Sequence, residues 1–183
     1  VSYSGLIIAL DVSKRCTGIA EARPGEVPRF AHVAFGKADD DFFDADARAV
    51  GWIADRLYLE PDLSQVRLVI EAPLQRDSTG GSNVGTILQA YALCKVIGGF
   101  ARRRGVMAIT GNVTTVRKAF LGRGNLGSEE AKRRAKATCE ALGWAPPNLD
   151  CADAGALLWW ACEKWAPGVM PSVDPLSTGA RAA

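Results

Sequence analysis

The chain has 183 residues, 48% of them hydrophobic and 23% charged, with a formal net charge of +2. That is room for one α/β domain with a substantial core and too little for two with separate cores. No apolar run approaches the ~20 residues of a membrane-spanning helix, and the first residues lack the basic-then-apolar layout of a signal peptide, so no membrane partner and a cytoplasmic location are expected.

The first apolar run, Leu6-Ile7-Ile8-Ala9-Leu10, reads as a strand buried on both faces, and it ends in Asp11. A carboxylate is costly to hold there unless something pairs with it, although Asp is also an ordinary turn residue. Strands are predicted near 5–11, 17–22 and 29–35, with Pro24-Gly25-Glu26 turning the second into the third, which makes an antiparallel meander. The single histidine, His32, falls in the third as a strand residue with no catalytic partner nearby. Asp39-Asp40-Asp41 then offers carboxylates to a helix spaced Phe43, Ala47, Val50, Ile53, Ala54, Leu57, which Pro61 stops. Val66-Arg67-Leu68-Val69-Ile70 is a fourth strand; it too ends in a carboxylate, Glu71, and Pro73 bars it from continuing.

Residues 75–82 are polar and glycine-bearing, an exposed loop. A long helix is predicted over 83–104, weakened in its last third by Gly98-Gly99, and then a short strand over 106–109. A short helix over 113–120 carries Arg117 and Lys118, and Gly122-Arg123-Gly124-Asn125-Leu126-Gly127 is a flexible basic loop. Ser128-Glu129-Glu130-Ala131 opens a helix with acids in its first turn, followed by Lys132-Arg133-Arg134 and Lys136. Ala145-Pro146-Pro147-Asn148 breaks the chain, and Asn148 can cap a last helix over 149–165 with Ala154, Leu157, Leu158, Ala161 and Trp165 on its buried side. Asp150 and Asp153, three apart, share one face of that helix. Residues 167–183 are Pro/Gly/Ser/Ala-rich without period and read as a flexible tail, leaving 1–166 as the single domain. The five cysteines are odd in number, scattered in apolar contexts and without a CxxC pair; they read as buried thiols in a reducing compartment, not as a disulfide frame or zinc site.

The small net charge hides an asymmetry. Residues 1–80 carry nine Lys/Arg against thirteen Asp/Glu, whereas residues 81–150 carry eleven against four. A basic block from Lys95 to Lys136 is the usual footprint of a polyanion partner, while Arg102-Arg103-Arg104 alone would be no more than a solvated helix face.

Four carboxylates stand out: Asp11 and Glu71 at strand ends, Asp150 and Asp153 in one helical turn. If the first and fourth strands are adjacent and parallel, Asp11 and Glu71 emerge at the same end of the sheet, and a helix packed across that end brings in the other two. Four acids with no histidine or thiolate form an oxygen-only site suited to Mg²⁺ or Mn²⁺. Two such ions ~3.5–4 Å apart can clamp a phosphodiester and activate a water. Taken singly, Asp150 and Asp153 would be no more than favourable charges at a helix start.

Asp11-Val-Ser-Lys-Arg-Cys-Thr17-Gly18 resembles the Asp-Pro-Gly-Ser-x-x-Thr-Gly opening of RuvC-type Holliday junction resolvases. Val69-Ile70-Glu71 is similar to their strand-borne glutamate, Asp150-Cys-Ala-Asp153-Ala154 to their Asp-Ala-Ala-Asp-Ala helix start, and Gly127-Ser128-Glu129-Glu130-Ala131-Lys132 to the turn before their DNA-facing lysine. The motifs occur in order and cover the chain up to about Lys164. The resemblance implies an RNase H-like α/β fold: a five-stranded mixed sheet, first three strands antiparallel, helices on both faces. It further implies a homodimer that cuts four-way DNA junctions symmetrically. Asp11, Glu71, Asp150 and Asp153 would hold two Mg²⁺ ions, with Mn²⁺ able to substitute. Lys132 would assist catalysis. Lys14, Arg15, Arg76, Arg117, Lys118, Arg123, Lys132 and Arg133 would hold DNA.

Two departures point towards a divergent branch, which the alanine- and arginine-rich sequence suggests is of phage type: Val12-Ser13 replaces Pro-Gly after Asp11, and Pro73-Leu74 stands where an aromatic that unstacks a junction base is expected. Bacterial or phage-infected cytoplasm is the setting this implies. Three other readings stay open: an actin-like ATPase, which needs two such domains; a non-catalytic DNA-binding subunit; and an RNase H-like nuclease acting on flaps, forks or RNA. For a dimer, the long helix is the candidate surface, because Ile87, Leu88, Tyr91, Leu93, Cys94 and Val96 wrap beyond one core-facing stripe.

Overall fold

The computed structural model describes residues 2–37, 39–73 and 84–171. The expected loop over 75–82 with Arg76, the Leu74 half of the second departure and the tail beyond 171 lie outside these residues. Five strands, β1 (Leu6–Asp11), β2 (Thr17–Ala22), β3 (Arg29–Val33), β4 (Val66–Glu71) and β5 (Met107–Gly111), form one sheet in the order β3-β2-β1-β4-β5. β1–β2 and β2–β3 pair antiparallel, as the meander requires, and β1–β4 and β4–β5 pair parallel.

The central strand explains the layering. Leu6, Ile8 and Leu10 point to one face of β1, Ile7 and Ala9 to the other, and all five are buried. Burying such a branched side chain stabilises by about 1.5–3 kcal/mol, so neither face can be left open. Helices α1 (Phe42–Tyr58) and α2 (Val84–Arg103) cover the first face with Ala45, Ala49, Ile53, Leu57, Leu93, Ile97 and Ala101. Helices α3 (Val113–Leu121), α4 (Ser128–Ala141) and α5 (Leu149–Trp165) cover the second. There the sheet offers Ala9, Ala20 and Ala22, and α5 answers with Ala152, Ala154 and Ala156, so helix and sheet approach closely. Every residue of α5 from Cys151 to Leu158 is buried, making it the central helix; the expected single stripe was too narrow.

Other details adjust the expectations. β3 stops at Val33, and Phe35 turns into the core against Trp52, with ring centroids 6.0 Å apart. Asp41 caps α1 by accepting from the Phe43 N–H, while Asp40 instead pairs with Arg48. Arg56 of α1 holds Glu21 of β2 bidentately, at 2.7 and 2.9 Å, and pins that helix to the sheet. Helix α2 runs unbroken through Gly98-Gly99. It is long and apolar enough to cross a membrane by length and composition, yet Leu93 and Ile97 are fully buried on the sheet. Leu93 therefore belongs to the core, not to an outer face, and the exposed apolar stripe of α2 is Val84, Leu88 and Tyr91. Of the five free thiols, Cys139, Cys151 and Cys162 are buried as expected, but Cys16 and Cys94 are only partly so. Beyond Trp165 the backbone stays on the body: Met170 is buried and the Trp159 Nε1–H donates to the Pro171 carbonyl at 3.1 Å.

Candidate active site

The parallel register of β1 and β4 pairs Leu10 with Ile70, so Asp11 and Glu71 leave neighbouring strands side by side at one end of the sheet. Across the other edge of β1, Asp11 stands opposite Gly18 of β2. A Cβ on Gly18 would collide with the Asp150 carbonyl, at a separation no side chain tolerates. The missing side chain is what lets the start of α5 rest on the sheet end. Asn148 fixes that start, its Oδ1 accepting from the Cys151 N–H at 2.8 Å. One helical turn then carries Asp150 and Asp153 to the strand carboxylates.

The turn between β1 and β2 is held by its own hydroxyls. Ser13 N–H donates to Thr17 Oγ1 at 3.1 Å, the Thr17 hydroxyl donates back to the Ser13 carbonyl, and the Ser13 hydroxyl donates to the Cys16 carbonyl. This replaces the stiffness that Pro-Gly would supply. The same turn carries Lys14, whose Nζ donates to the Asp40 carbonyl, and the exposed Arg15.

Electrostatically the four acids oppose one another. Burial first, then the charges of Glu71, Asp153 and Asp150, push the Asp11 carboxyl well above the usual carboxylate range. Burial and Asp153 push Glu71 up to about 7, against the pull of Arg117 and Lys132. Asp153 is raised by burial and drawn back by the same two cations. Asp11 and Glu71 nevertheless keep some exposure to solvent at that end of the sheet. Lys132 enters from α4: its Nζ lies 2.6 Å from Asp150 Oδ1 and 3.7 Å from Asp153 Oδ2. Burial would lower the Lys132 ammonium's proton affinity, but its bond to Asp150 and the charges of Asp11 and Asp153 more than reverse this.

The structure brings the four acids named from the sequence to one end of the sheet, and Lys132, expected near the scissile phosphate, is here paired with two of them. Arg117, not Lys118, is the α3 residue whose charge reaches Glu71 and Asp153, while Lys118, Arg123 and Arg133 are exposed. Gly18 was quoted only as part of a motif; its need to be glycine follows from the helix above it. Among the described residues no three His, Cys, Asp or Glu side chains gather as a metal-holding group. The donor set nonetheless suits a hard divalent cation: it is all oxygen, and burial, with the neighbouring negative charges, raises the proton affinity of Asp11, Glu71 and Asp153, as expected of carboxylates short of counter-charge.

No family model matches the sequence, and neither does any curated protein. Solved structures do match in fold. Thermus thermophilus RuvC superposes with a TM-score of 0.63 at 16% identity, covering 87% of this chain and 95% of that one. The T. thermophilus RuvC complex with a Holliday junction substrate gives 0.65 at 15%, covering 88% and 93%. The yeast mitochondrial Holliday junction resolvase Ydc2 gives 0.54 at 11%, covering 91% and 83%. The chain therefore has the RNase H-like fold of RuvC.

Proposed function

We propose that this chain is a metal-dependent endonuclease that resolves four-way DNA junctions by paired symmetric cuts as a homodimer. The observation that carries the reading is the convergence of Asp11, Glu71, Asp150 and Asp153, from two parallel strands and a capped helix, at one end of the sheet, with the charges of Lys132 and Arg117 acting on them. The solved structures of the same fold include a RuvC bound to a Holliday junction, and that supports branched DNA as the substrate class.

The four acids would hold two Mg²⁺ or Mn²⁺ ions, which when bound supply Lewis-acid polarisation of the phosphate and a nucleophilic water. The protein's part is placement and charge. β1 and β4 fix two carboxylates rigidly, because their backbones are paired on both sides. Arg117 and Lys132 offset the negative charge that builds on the phosphate in the transition state. Lys14, Arg15, Lys118, Arg123 and Arg133, with Arg76, would neutralise backbone phosphates of the junction arms. A four-way junction is two-fold symmetric, and one cleft makes one cut, so a C₂ pair supplies the second.

Cleavage assays on four-way, three-way, flap and linear DNA test this directly. Four-way junctions should be cut with Mg²⁺ or Mn²⁺ and not in EDTA. Asp11→Asn and Glu71→Gln should each lower the cleavage rate by at least about 100-fold while junction affinity changes little, since each removes a ligand charge and almost no surface. Near-normal cutting by either variant would sink the four-carboxylate site, and preferential cutting of flaps would redirect the substrate assignment.

A further inference from the structure

Lys132 sits where its charge is needed by the protein itself. Its ammonium makes a short charge-assisted bond to Asp150 and reaches Asp153, the two acids of the α5 first turn. The side chain is 25% exposed and its backbone is anchored, because the flanking Ala131 and Ala135 of α4 are buried against the core. The long flexible stem can therefore swing while the helix stays in place.

We infer that Lys132 is a built-in counter-cation, which holds the α5 carboxylates in the metal-free protein and competes with divalent ions for them. This rests on the metal-dependent reading above. A carboxylate oxygen bonded to an ammonium at 2.6 Å cannot also present that lone pair to a hard cation bound at ~2.0–2.1 Å, and the two positive charges repel. An ion taking that lone pair displaces Lys132 from Asp150, and one on the other carboxylate oxygen still weakens its hold by repulsion. By reciprocity, whatever the lysine contributes to the metal-free site is subtracted from ion affinity. The displaced ammonium, whose side chain is already 25% exposed, is then free to meet a substrate phosphate. Ion loading and phosphate capture are thereby coupled through one side chain.

Two measurements without DNA test the inference. In calorimetric titration with Mn²⁺, Lys132→Met should bind the ion on the order of tenfold more tightly than wild type, while Lys136→Met, the same charge change farther along α4, should not. In wild-type protein labelled with ¹⁵N-lysine, the Lys132 ammonium signal, slowed in exchange by its carboxylate partners, should be lost on adding Mg²⁺. That second experiment stands even if Lys132→Met fails to fold. Equal Mn²⁺ affinity in wild type and Lys132→Met, or an ammonium signal unchanged at saturating Mg²⁺, would overturn the competition alone. Failure of wild type, Lys132→Met and Lys136→Met all to bind Mn²⁺ would overturn the metal reading and the inference with it.

Discussion

Glu71 shows how much the cleft demands of single residues. Its carboxyl titrates near 7 because burial and Asp153 disfavour its charge, so folding raises its proton affinity above that of the unfolded chain. A group shifted in this direction contributes stability that is fully present below its unfolded pKa and lost as pH rises through its folded one. Asp11 and Asp153 are shifted the same way. In EDTA, the melting temperature of wild type relative to Glu71→Gln should therefore fall between pH 5 and pH 8, by an amount corresponding to about 1–3 kcal/mol. Thermal melts of the two proteins across that range check it. A difference that is flat with pH would mean Glu71 is not held in such surroundings. Saturating Mg²⁺ should largely abolish the trend, since an ion favours the charged form.

At the scale of elements, α5 and α2 exchange the roles their sequences suggest. α5 carries two of the acids and would be taken for a surface helix at its start, yet it is buried almost all round because the sheet beneath it is lined with alanine. α2 is the more apolar to the eye, yet it turns Leu93, Ile97 and Ala101 inward and leaves Val84, Leu88 and Tyr91 in solvent. That exposed stripe is the surface available to a second copy. Tyr91→Glu should give a folded monomer that nicks one strand without the paired cut, as sedimentation and a cruciform-linearisation assay would show. Leu93→Glu tests something else: it places a charge in the core and should unfold the domain. Wild type that sediments as a monomer both free and on junction DNA would rule out the dimer.

Taken whole, the molecule separates its charges. The acidic cleft is edged by cations of the basic block, with Arg117 on α3 and Lys132 on α4 closest to the acids and exposed Lys118, Arg123 and Arg133 nearby in the chain. Affinity for any branched DNA should depend steeply on salt. Replacing Arg117 and Lys118 by alanine should weaken four-way and three-way junctions alike, and flatten the log–log salt slope by about one unit for each phosphate no longer neutralised. Fluorescence anisotropy across a salt series measures both. An unchanged slope would place the DNA on another surface.

The sequence by itself determined the strands, their order of appearance and that Asp11 and Glu71 end two of them, because these are written in local pattern. The short apolar run Leu6 to Leu10 reads as a doubly buried strand, Val66, Leu68, Val69 and Ile70 repeat it, and Asn148 is a residue type that caps the helix carrying Asp150. What local pattern does not contain is which groups meet across space. The close approach of α5 above Gly18, the turning of Leu93 into the core, and the pairing of Lys132 with Asp150 are all set by elements far apart in the chain. Each depends on how closely a helix can settle on a sheet. That distance is fixed by the side chains of both partners together, so only the tertiary structure decided it.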